Sequence, residues 1–193
     1  MFLTTAADSE AGQRLAADDE KYMGFVMNGT RLWRWQPETA EALFALMGQA
    51  TEGLTMRQRG ILVSAAASTL GDSYCSLAWG GKLAVEVGAE AAAGVLTGDD
   101  SQLADDEQAM ARWARAVVRD PNATSQHDVD TLRNAGLDDA TIFAITTFVA
   151  LRVAYSMIND ALGAHPDPAL REFAPAAVVD AVDWGRPIAD EGA

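Results

Sequence analysis

Helix start and stop signals recur at short intervals along this chain, and no alternation of apolar and polar residues persists beyond a few positions. A sheet of half-buried strands is thereby excluded, so the elements have to be helices packed on one another. Ser9 caps a first helix. Pro37 stands in the first turn of "WQPETAEALFALMGQA", which spaces Ala40, Leu43, Phe44 and Met47 on one apolar face. Thr55 caps "MRQRGILVSAAASTL", which ends near Gly71, and Asp72 or Ser73 opens the next helix. "LADDEQAMARWARAVVRD" has acids in its first turn and arginines towards its last, matched to the helix dipole. "HDVDTLRNAGLDDATIFAITTFVALRVAYSMINDALG" stops a short helix at Gly136 and starts a long one after Asp138, and "PDPALREF" and "PAAVVDAVDWG" supply short terminal helices. The fold class is all-α.

Charge and length then limit what such a bundle does. The 193 residues fit one domain, or one domain with helical extensions, and at 49% hydrophobic residues they can fill a real core. Fourteen Lys and Arg against 28 Asp and Glu give a net charge of -14, which repels phosphate backbones and anionic lipid surfaces. Neither a nucleic acid nor a membrane is expected as a partner. "TLRNAGLDDATIF" has the look of a helix-turn-helix but no basic recognition face. The longest nearly apolar stretch, "ATIFAITTFVALRVAY", reaches Arg152 after about a dozen residues, short of the roughly 20 that span a bilayer. It is expected as a buried helix. The amino terminus lacks a basic segment followed by an apolar one, and a single cysteine forms no internal disulfide, so a cytoplasmic protein is expected.

Metal chemistry finds no footing. Asp99, Asp100, Asp105, Asp106 and Glu107 lack the alternating ligands and the glycine of a calcium loop, and are expected as a solvated helix start. His127 and His165 are far apart and expected at the surface, which leaves no zinc site.

The segment "LGDSYCSLAWGGKLA" holds the only cysteine, Cys75. With Asp72 as N-cap, Cys75 falls in the first helical turn, where exposed N–H groups favour a thiolate. The carboxylate of Asp72 opposes that ionisation. Asp72, Cys75 and Trp79 lie at i, i+3 and i+7 on one helix face, which holds an acid, a thiol and an indole but no base.

From Arg31 to Leu170 the chain resembles the alkyl hydroperoxidase D-like, or carboxymuconolactone decarboxylase, family. "MNGTRLWRWQP" resembles a lead-in helix of its peroxidase-related branch, "MRQRGILVSAAASTLGDSYCSLAWGGKLA" its two core helices, and "AGLDDATIFAIT" with "NDALGAHPD" its later segment. In that branch a glutamate precedes a Cys-x-x-Cys pair, and a histidine follows four residues after the second cysteine. The second cysteine reduces a hydroperoxide, the first resolves the sulfenic acid, and glutamate and histidine assist proton transfer. Here Cys75 aligns with the second cysteine, Asp72 with the first, Trp79 with the histidine and Gly60 with the glutamate.

The resemblance implies a helical homo-oligomer without a cofactor. It implies a weak one-cysteine hydroperoxide reductase dependent on an external thiol, with Cys75 as the catalytic candidate and Gly60, Asp72 and Trp79 around it. A non-catalytic oligomer that binds a small molecule or acts as a scaffold is the alternative, and a lyase or decarboxylase the third reading. Because glycine inside a helix costs about 1 kcal/mol against alanine, Gly60 implies a neighbour that needs the space, and the indole of Trp79 is one candidate. Cys75 is then a small buried residue as readily as a catalyst. On the long late helix, Arg152, Ser156 and Asn159 sit at i, i+4 and i+7 and form an outward polar face, a subunit interface or the lining of a pocket for a small anionic or carbonyl ligand.

Overall fold

The computed structural model describes residues 1–190. Eleven helices and no strand are found among them. The predicted caps form where the sequence puts them. Ser9 accepts the Gly12 N–H at 3.0 Å, Thr55 and Gln58 make a reciprocal capping box, and Asp138 accepts the Thr141 N–H at 2.8 Å. One helix goes unread in the sequence: Ala89–Thr97 (α6) follows Ser73–Val87 (α5) across Gly88, with no side-chain cap to announce it.

Met56–Leu70 (α4) is the central element, buried over Gly60 to Ala67 and packed against α5, Asp105–Arg119 (α7) and Asp139–Ala161 (α9). Small residues make this possible. Ala65, Ala66 and Ala67 on α4 and Gly80 and Gly81 on α5 let backbones approach closely. A Cβ on Gly80 would stand 2.8 Å from Val178, and one on Gly81 would stand 2.7 Å from Phe173, so the paired glycines seat the short C-terminal helices.

Helix α9 has 23 residues and is long and apolar enough to cross a membrane by length and composition. The sequence estimate stopped at Arg152, but that side chain is buried and the helix runs on past it. It packs on Pro37–Ala50 (α3), α4 and α7 as a core helix, with Phe143 left 76% exposed.

The acidic segment corrects an expectation. Glu107 is buried and forms an ion pair with Arg57, and Asp100 takes both terminal nitrogens of Arg115 at 2.7 and 2.8 Å. These two acids are structural ties between elements, while Asp105 remains exposed on the helix start. His127 is exposed as expected. His165 is half-buried instead, its Nδ1 3.0 Å from the Pro187 carbonyl oxygen.

Candidate functional site

Asp72 caps α5, its Oδ1 accepting the Cys75 N–H at 2.9 Å, and this sets the cysteine in the first turn against the centre of the bundle. Cys75 is 4% exposed. Arg152 donates from Nη2 to its sulfur at 3.2 Å, and the Ser156 hydroxyl donates at 3.4 Å. The polar stripe of α9 therefore faces the interior, which corrects the outward-face reading: Arg152, Ser156 and Asn159 are all buried. Polar residues at i, i+4 and i+7 define one face of a helix, but their spacing does not say whether that face meets solvent or a facing cysteine.

Above the sulfur lies a cavity of about 450 Å³. Cys75, Arg152 and Asn159 belong to its buried part, and Asp18, Tyr22, Phe44 and Gly48 to its exposed rim. Aromatic rings of Tyr74, Trp79, Phe148 and Tyr155 form part of its inner walls. Phe44 is thus part of the mouth and only loosely packed in the core. Trp33 and Tyr155 stack at 5.4 Å with planes 2° apart, and the Trp33 indole N–H donates to Asn159 Oδ1 at 2.9 Å, which fixes the amide.

Of the residues singled out in the sequence, Cys75, Trp79, Arg152 and Asn159 line this cavity, while Gly60, Asp72 and Ser156 do not. Asp72 and Ser156 act from behind the thiol. Gly60 has a different partner from the one expected. A Cβ there would meet Leu83 at 3.1 and 3.2 Å, so Leu83, and not the Trp79 indole, occupies the space the small residue leaves. Trp79 is instead half-buried in the cavity wall, with Lys82 Nζ 4.9 Å and Arg152 Cζ 5.2 Å from its ring centre. Gly60→Glu should therefore overpack Leu83 and bury a carboxylate, at a cost of about 3 kcal/mol or more. Thermal unfolding measures this, and a variant as stable as the parent would contradict the packing.

Sequence reasoning missed Arg59, Lys82, Asp19, Tyr74 and Tyr155, all in the cavity lining. A signal existed for Lys82. It is one of only two lysines and stands seven residues after Cys75, on the same helix face that was read as lacking a base.

Burial sets the charge states. The Cys75 thiol is pushed up to about 12, first by burial and then by the Asp72 carboxylate, with Arg152 and Ser156 pulling the other way. At neutral pH it is a thiol. Burial and the neighbouring Arg152 lower Lys82, which eases loss of its proton. Burial raises Tyr155, and Tyr74, whose hydroxyl donates to Asp167 and accepts from the Gly29 N–H at 2.9 Å, is raised likewise. Among the described residues no group of His, Cys, Asp and Glu is placed to hold a metal ion.

The all-helical fold is that of solved proteins with the alkyl hydroperoxidase AhpD core. The chain is similar to an uncharacterized peroxidase-related protein with that core from Ralstonia eutropha JMP134, at 20% identity and a TM-score of 0.73, over 88% of this chain and 92% of that one. It is similar to another uncharacterized peroxidase-related protein, from Silicibacter sp. TM1040, at 17% identity and a TM-score of 0.72, over 85% and 92% of the two chains. The debrominase Bmp8, solved as a cysteine-to-alanine variant in complex with 2,3,4-tribromopyrrole, is similar at 17% identity and a TM-score of 0.70, over 95% and 98%. No protein-family model and no curated protein matches the chain.

Proposed function

We propose that this protein is a slow, one-cysteine thiol reductase of small, largely apolar acceptors, a hydroperoxide being the first of them, with Cys75 as the reducing atom. The observation that carries this reading is the guanidinium of Arg152 3.2 Å from a sulfur at the bottom of a cavity large enough for a substrate. A cation in that position stabilises the thiolate when it forms, and then the negative charge on the leaving oxygen.

The chemistry balances with one hydroperoxide and two external thiols. The sulfur attacks the hydrogen-bearing peroxide oxygen, and the O–O bond breaks. Sulfur is oxidised by two electrons to the sulfenic acid, and the alkoxide leaves as the alcohol with the proton given up by the thiol. With no second cysteine, an external thiol condenses with the sulfenic acid and releases water. A second external thiol then frees Cys75 and leaves as the disulfide. Likeness of fold to a debrominase in complex with 2,3,4-tribromopyrrole supports a small ring compound as a ligand for a protein of this fold.

Consumption of cumene hydroperoxide with dithiothreitol should be measurable in the parent and fall to background in Cys75→Ser. Arg152→Gln should lower the rate by about 100-fold, as for loss of one charge-stabilising donor. A parent no faster than Cys75→Ser would overturn the proposal. The second reading, binding without chemistry on the same fold, is favoured by one observation, the burial of Cys75 at 4% exposure, which disfavours its thiolate.

A further inference from the structure

We propose that the cavity binds a planar organic monoanion, its negative group on Arg152 and its ring system between the aromatic walls. This inference names the ligand class of the site just described and rests on that reading only for the chemistry, not for the binding.

The charge balance of the cavity is opposite to that of the chain. A protein with 28 acids and 14 bases gathers Arg59, Lys82 and Arg152 around one space, against Asp18 and Asp19. Asp18 is exposed at the rim, and Asp19 is occupied by the Met27 N–H at 2.9 Å. Arg152 is 6% exposed and makes no ion pair among the described residues. Its hydrogen-bond partners are two sulfurs, Cys75 at 3.2 Å and Met47 at 4.0 Å, both weak acceptors. An arginine buried without a carboxylate is costly, and such a cost is retained where a ligand supplies the missing charge.

The neighbouring polar atoms are short of acceptors in the same way. Arg152 Nε, Arg59 Nε and Asn159 Nδ2 are buried and unpartnered, and all three are donors from residues that line this cavity. Donors without acceptors call for an acceptor group and not a cation, and beside an unpaired guanidinium an anion is the strongest such group. The shape of the ligand follows from the walls. The guanidinium carbon lies 5.2 Å from the Trp79 ring centre and 5.1 Å from that of Tyr155, and Phe44 tilts against Tyr155 at 5.4 Å. Aromatic rings flank the cation, so an anion reaching it carries its organic body between them, and a flat body keeps most contact.

The test uses naphthoate, with naphthamide as its neutral isostere and acetate as the anion without a ring system, measured by titration calorimetry. Naphthoate is expected to bind the parent saturably at one site. Naphthamide and acetate should each bind the parent at least about tenfold more weakly, and Arg152→Gln should bind naphthoate about 10- to 100-fold more weakly. Naphthoate should also slow alkylation of Cys75 in the parent, a readout that needs no arginine variant. Equal binding of naphthoate and naphthamide, or of naphthoate and acetate, would overturn the anionic or the planar part of the inference. Peroxide turnover without naphthoate binding would overturn this inference and leave the thiol reductase standing. Naphthoate binding without turnover would do the reverse.

Discussion

At pH 7 the folded protein is expected to react with iodoacetamide on the order of a thousandfold more slowly than a free cysteine, and about tenfold faster with each pH unit above that. The thiolate is the reactive form, and a thiol held up to about 12 supplies very little of it. Because the unfolded thiol ionises near 8.5 and the folded one does not, the unfolded state binds fewer protons between roughly pH 8.5 and about 12. Stability contributed by the buried neutral thiol is therefore complete below that window and is lost as pH rises through it. Peroxide consumption should climb with pH over the range where the protein stays folded. Rapid labelling of folded protein at pH 6, abolished by Cys75→Ser, would contradict the buried thiol.

Arg115→Ala should cost about 3 to 5 kcal/mol. Arg115 on α7 donates from Nη1 and Nη2 to Asp100 at 2.7 and 2.8 Å, and from Nη2 to the Val95 carbonyl oxygen at 2.8 Å. Both side chains are at most 10% exposed, so truncation leaves the Asp100 carboxylate buried without its partner and takes one of its hydrogen bonds from the Val95 carbonyl near the end of α6. The midpoint of thermal unfolding should drop by about 10 °C for a chain of this size, and a drop under about 2 °C would contradict the role of the pair. Replacement of a well-tied arginine by lysine keeps charge but not the fork, and should recover part of the loss.

The bundle was legible because its signals are local. Ser9, Thr55, Asp72 and Asp138 each cap the helix that follows them, and a cap depends on three or four consecutive residues. Helix α6 was missed because Gly88 offers no side chain to read. The site was legible along one helix only. Asp72, Cys75 and Trp79 are related by spacing on α5, but Arg152 comes to Cys75 across 77 positions, and nothing in the α9 pattern says which way that face turns. The Gly60 and Leu83 contact shows the same limit. A small residue announces that something approaches, and only the packing says what.

The most direct test of Cys75 as the reducing atom is the intact mass of the protein after brief cumene hydroperoxide treatment in the presence of dimedone, which adds only to a sulfenic acid. A single adduct on the peptide containing Cys75, forming faster at pH 9 than at pH 7 and absent from Cys75→Ser, is the expected result. Unmodified Cys75 in a protein that nonetheless consumes the peroxide would contradict it.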